Sequence, residues 1–156
     1  MSTSEVAGSR YWKLIKSFWI PLNESWDEDP RAFLELFQQV PVAVRHLYAS
    51  HWCRSEVCNG GLQQFFYNST GLLAPEALAG FQTVGLQECA LVLAEAIGYF
   101  GPRYPRERRL RLRSLPESCG ERASWDPFIA LDERFYDAEA GQWHRIADIY
   151  AEKSTV

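Results

Sequence analysis

Apolar residues recur at every third or fourth position through most of this chain, and prolines and glycines cut that recurrence into helix-length pieces. This is the tightest constraint on the fold. Side chains return to one face every 3.6 residues on a helix but every second residue on a strand. No stretch shows the two-residue alternation that a half-buried strand requires.

Residues 11–20 (YWKLIKSFWI) are amphipathic and are expected to stop at Pro21. Asp29 before Pro30 supplies an N-cap followed by proline at the first helical position. Phe33, Leu34, Phe37 and Val40 then share one helical face. Pro41 restarts the pattern, and Val44, Leu47, Tyr48 and His51 stripe a helix over 41–56 that Asn59-Gly60-Gly61 closes. A short helix over about 62–69 follows and ends at Gly71. Pro75 and Glu76 open the next stretch, whose stripe is Leu86, Ala90, Leu93, Ala94 and Ile97; Gly80 and Gly85 mark a break or a close approach within it.

The segment after Pro105 reads as helical to Leu115, and 116–124 as a loop. Asp126 before Pro127 repeats the cap, Phe128, Leu131 and Phe135 stripe the helix behind it, and Trp143, Ile146, Ile149 and Tyr150 place the last helix. The expectation is an all-α fold, a single compact domain over 1–156 with about six to eight helices, loosely ordered at 1–10 and 152–156. Six Trp, seven Tyr and nine Phe make a ring-rich core that needs few disulfides. No apolar run approaches the length of a membrane span, and the start, MSTSEVAGSRYWK, lacks a basic-then-apolar leader, so a cytoplasmic location is expected.

The densest chemistry lies in SEVCNGGLQQFFYNSTG, residues 55–71. On a helix from Leu62, the side chains of Leu62, Phe65 and Phe66 share a face and should be buried, while Gln64 and Asn68 stand one above the other. Glu56 and Asn59, just before the glycines, can reach the same place. Two readings follow: a satisfied polar network where one helix ends and the next begins, or a pocket around Glu56, Asn59, Gln64 and Asn68 that binds a small molecule or a substrate. Catalysis is the weaker version. Glu56 is the one acid here, and His46 and His51 stand five apart, about 140° around a helix, which suits structural roles. No GxSxG, HExxH, GxxxxGK[ST] or GxGxxG signature occurs, and an enzyme is not expected. Cys53, Cys58, Cys89 and Cys119 form no CxxC pair and fit no zinc spacing, so neither metal nor cofactor is expected.

Charge is uneven. The net charge is −4, yet RYPRERRLRLR (103–113) holds six of the sixteen basic residues and one acid. The remainder has ten basic residues against nineteen acidic ones, a net −9. Arg103, Arg106, Arg108, Arg109, Arg111 and Arg113 fit either an anionic partner or a solvated helix face whose stems cover the core. The acidic balance argues against direct nucleic-acid binding. The acids gather in two clusters: Glu24, Asp27, Glu28 and Asp29, then Asp126, Asp132, Glu133, Asp137 and Glu139. On a helical surface they either solvate the protein or, set in rows, imitate duplex phosphates before a basic protein face.

EVCNGGLQQFFYNSTG, followed by ALAGFQTVGLQECALVLAEAIGYF and LDERFY, resembles a family of small bacterial helical proteins, largely of unknown function, whose best-known member is a DNA mimic. The resemblance covers roughly residues 40–137, and Glu56, Asn59, Gly60, Gly61, Gln64, Phe65, Asn68 and Gly71 carry it as a badge of the fold. It implies an all-helical, often dimeric protein whose acidic surface occupies the DNA-binding side of a repressor-type regulator. The expected function is therefore a non-enzymatic, protein-binding inhibitor directed at a transcription regulator. Alternatives are an immunity-type protein that neutralises a toxin, and the pocket reading above. No direct nucleic-acid or membrane contact is expected.

Overall fold

The structure, a computed structural model, describes residues 8–26, 29–116 and 126–154. Among the described residues eight α-helices follow one another: α1 (Arg10–Glu24), α2 (Pro30–Gln39), α3 (Val42–Tyr67), α4 (Ala74–Val84), α5 (Gln87–Gly98), α6 (Arg108–Ser114), α7 (Ile129–Glu139) and α8 (Trp143–Ser154), with a 3-10 turn (Ser69–Leu73) between α3 and α4. No strand occurs among the described residues, so the fold is all-α, as the periodicity requires.

Helix α3 is the hub. It packs against α1, α2, α4, α6, α7, α8 and the 3-10 turn, while α5 lies on α4 and α7, and α1 lies along α8. The apolar stripes become one core: Phe33 and Phe37 of α2, Val44, Leu47 and Tyr48 of α3, Phe81 of α4, Phe135 of α7 and Trp143 of α8 are all buried.

The caps follow the sequence signals, with one correction. Asp29 accepts a hydrogen bond from the Arg31 N–H (3.0 Å) ahead of Pro30, and Asp126 accepts one from the Phe128 N–H (2.8 Å). Pro21, by contrast, does not end α1, which runs on to Glu24. Pro21 and Ser17, whose carbonyl loses its usual partner, are both exposed, which leaves that carbonyl open to solvent while the extra turn buries Leu22. On α5, Ala94 is exposed, and the buried face is instead Cys89, Ala90, Val92, Leu93 and Ala96.

Gly80 sets the closest approach in the bundle. A methyl group there would strike Ser50 Oγ and come within 2.6 Å of the His46 carbonyl oxygen, so α4 lies against the backbone of α3. Gly80→Ala should cost about 1–3 kcal/mol in urea unfolding through overpacking. Gly98→Ala, where a Cβ meets nothing within 4 Å, should leave stability unchanged or slightly raised.

An aromatic cluster fastens α1 to α3. Trp19 stacks on Trp52 with centroids 5.1 Å apart and 11° between planes, and Trp26 meets Trp52 edge-on at 5.0 Å. His51 sits among Trp12, Trp19 and Trp52, with its Nδ1 3.4 Å from the Tyr11 hydroxyl. Burial, aided by Arg54 and His144, pulls the His51 pKa down to about 4. Burial also lowers His46, whose Nδ1 is 2.9 Å from the Tyr150 hydroxyl, and His144. These rings fold neutral and are charged more readily when unfolded. Stability is therefore full above the ordinary histidine pKa of about 6.5 and falls as acid is added from there. Melting temperatures between pH 7 and 4 should trace that fall, and His51→Phe should flatten it.

Candidate functional site

The motif of residues 55–71 is built around a break in α3. Gly61 has φ 81°, a left-handed conformation open to glycine and strained for other residues, and Gly60 is also non-helical. The chain leaves one helix, turns, and begins a second at Leu62 within the same element. Such a break exposes carbonyls on one side and amides on the other.

Side chains on the two sides of the break bind one another. The Glu56 carboxylate receives hydrogen bonds from Gln64 Nε2 (2.5 Å), Asn68 Nδ2 (2.9 Å) and Thr70 Oγ1 (3.2 Å). Asn59 Nδ2 donates to Gln64 Oε1 at 3.1 Å, which completes a chain of amides across the glycines. All three groups on Glu56 are donors, and an ionised carboxylate is an acceptor at every lone pair. Below this network Leu62, Phe65 and Phe66 are fully buried.

The acid and the arginine that complete the motif come from far along the chain. Asp132 of α7 accepts the Leu62 N–H at 2.7 Å and so caps the second half of α3. A Cβ at Gly61 would collide with the same carboxylate. At the other end Arg111 is fully buried, and its guanidinium donates to the carbonyls of Phe66 (2.9 Å), Asn68 (2.9 Å), Pro105 (3.3 Å) and Arg106 (2.5 Å). Arg106 binds the Leu72 carbonyl and forms a two-pronged ion pair with Glu76. Arg108 donates to the Tyr67 carbonyl at 2.7 Å with its guanidinium carbon 4.7 Å from the Tyr67 ring centre. Arg108 and Arg111 thus hold the end of α3 and Arg106 the turn into α4, and the reading of the strip as a solvated face does not apply to Arg111.

The acids divide by environment. Asp132 and Glu139 were expected as contact residues on the surface, but both are buried. Asp132 caps α3, and Glu139 pairs with Arg54 at 3.1 Å and accepts the Gly141 N–H at 3.1 Å. Both serve the fold: Asp132 through the buried Leu62 N–H, and Glu139 through Arg54 and the turn at Gly141. Glu24, Asp29, Glu133 and Asp137 are exposed, and Asp126 is half-buried. Asp27 and Glu28 lie outside the described residues, as does Cys119.

Sequence reasoning missed Asp132 and Arg111 as parts of the motif. Leu62 and Asp132 are 70 positions apart, so no local pattern links them. Arg111 left one trace: it stands four residues before Leu115, on the face that Leu115 buries.

No group of three His, Cys, Asp or Glu side chains among the described residues is placed to hold a metal. Cys53, Cys58 and Cys89 are free thiols, and burial pushes Cys89 up to about 12. The cavities at Trp26–Arg109, Asn23–Trp52, Arg10–Glu152 and Gly85–Gln142 are lined by residues other than Glu56, Asn59, Gln64 and Asn68. Among the described residues no helix is long and apolar enough to cross a membrane.

An all-α bundle whose glycine break is held by Glu56 and its amides defines a small helical protein of the class the motif resembles. The chain belongs to the DMP19-like protein family, whose profile matches residues 38–153, from the end of α2 into α8. No curated protein and no solved structure matches it.

Arg111→Met keeps the length of the side chain but leaves several buried carbonyls unpaired. Urea unfolding should show a loss of at least about 3 kcal/mol, against about 0.5 kcal/mol or less for the exposed Arg113→Met.

Proposed function

We propose that this chain is a non-enzymatic, protein-binding inhibitor that presents exposed carboxylates to the DNA-binding face of a transcription regulator. Membership of the DMP19-like family supports the DNA-mimic character of that reading. The observation that carries it to particular residues is the outer face of α7. Glu133 and Asp137 are exposed there one helical turn apart, and neither forms an ion pair with a described residue. A basic groove that accepts DNA phosphates accepts such carboxylates by the same Coulomb attraction.

The arginine strip opposes this less than its composition suggests. Arg106 is neutralised by Glu76, Arg111 is buried, and Arg109 pairs with Glu107 at 2.7 Å. Next to Glu133, Arg134 is held by Glu95 at 2.8 Å, so its charge is offset within the same surface.

The test is a capture of partners from the native cell, followed by competition between this protein and the operator duplex for the captured regulator. The protein should displace the duplex, with an affinity that falls as salt rises. Glu133→Lys combined with Asp137→Lys should weaken displacement at least about tenfold without lowering the melting temperature. Undiminished displacement by that variant contradicts the assignment to α7. Capture of a toxin in place of a DNA-binding protein favours the immunity-type alternative.

A further inference from the structure

Two concavities meet beside Trp26. One, of about 290 Å³, is lined by Trp26, Ser69, Leu72 and the arginine strip. The other, of about 300 Å³, is lined by Asn23, Trp26, Trp52 and Ser69. Trp26 and Ser69 belong to both, so the two form one groove in the size range of small-molecule sites, about 300–1,000 Å³.

Its two ends differ in chemistry. At one end lie the indoles of Trp26 and Trp52, 5.0 Å apart and edge to face, with Trp26 fixed by a hydrogen bond from its Nε1 to the Tyr48 hydroxyl (2.9 Å). At the other end Arg106 and Arg111 are locked by carbonyls and Glu76, which makes the wall rigid. Arg108 and Arg109 each use Nε internally, on the Tyr67 carbonyl and on Glu107. No hydrogen bond to a described residue takes their terminal nitrogens. Glu107 is the one acid among the described lining residues, and it is already paired. In a chain whose remaining residues carry a net −9, a local basic groove is not a by-product of overall charge.

A guanidinium grips a phosphate through two parallel hydrogen bonds, and an indole face stacks on a nucleobase. A bare anion would leave the indole end unused, and so would an acidic peptide without rings. We infer that this groove binds a nucleoside monophosphate, with its base against Trp26 and its phosphate on Arg108 and Arg109. The site shares no residue with the α7 face, so the inference stands or falls independently of the proposed function.

The test is a titration of the full-length, nitrogen-15-labelled protein with AMP, GMP, CMP and UMP, followed at the indole N–H signals of Trp26 and Trp52. Adenosine, inorganic phosphate and hexaglutamate serve as separate arms. At least one nucleotide should move both signals saturably with a Kd below about 1 mM. Adenosine and phosphate alone should each bind at least about tenfold more weakly, because joining the two groups makes the second contact intramolecular. Arg109→Ala should weaken nucleotide binding at least about fivefold with an unchanged melting temperature, and Arg113→Ala should bind as the parent does. Failure of all four nucleotides to saturate overturns the inference, as does undiminished binding by Arg109→Ala. Hexaglutamate binding more tightly than every nucleotide also overturns it and marks the groove as an acidic-peptide site.

Discussion

The break in α3 at Gly60-Gly61 is the constraint on which the rest of the bundle depends. Gly60 and Gly61 interrupt the helix between two buried sets, Val44, Leu47 and Tyr48 before the break and Leu62, Phe65 and Phe66 after it. The break re-aims the second half, and it leaves backbone groups that helix geometry no longer pairs. Asp132 from α7 pairs with the Leu62 N–H and Arg111 from α6 with the Phe66 and Asn68 carbonyls, while Glu56 within α3 gathers the side chains of Gln64, Asn68 and Thr70. The hub helix and two later helices are thus tied at a single place. The two histidines of α3 extend the same logic, since His46 reaches α8 through Tyr150 and His51 reaches α1 through Tyr11.

This arrangement occupies the motif's polar side chains with one another, Asn59 exposed and Glu56, Gln64 and Asn68 half-buried. Glu56, Asn59, Gln64 and Asn68 make hydrogen bonds to one another, and the cavities described above lie elsewhere. Of the carboxylates left outside, Asp29 caps α2 and Glu95 pairs with Arg134, whereas Glu133 and Asp137 have no structural duty that the described residues reveal. The arginine strip is divided in the same way, with Arg111 inside and Arg109 outside. A run of like charges in sequence thus contains residues of opposite fates, because helix geometry turns one of them into the core every three or four positions.

The helices were legible because apolar periodicity, proline and glycine all act locally. The Asp29–Pro30 cap, the glycine break and the Phe33/Phe37 face are short-range facts of the chain. Pro21 was misread because its cost depends on whether the freed carbonyl faces water, which only the packed helix decides. The amide network was legible from the spacing of Gln64 and Asn68. Its remote members were not: nothing near Asp132 announces that it caps a helix seventy residues earlier, and as an acid on an otherwise charged helix it reads as surface. Glu139 was misread for the same reason, its partner Arg54 being 85 residues away.

If the break is one structural unit, its two carboxylates must depend on each other through the short helix between them. A double-mutant cycle of Glu56→Gln and Asp132→Asn, read by urea unfolding, measures that dependence directly. The account predicts a coupling of at least about 1 kcal/mol, because either change alone already loosens the segment the other acid holds. Effects that add to within about 0.3–0.5 kcal/mol would contradict it and show that the two sides of the break are held independently.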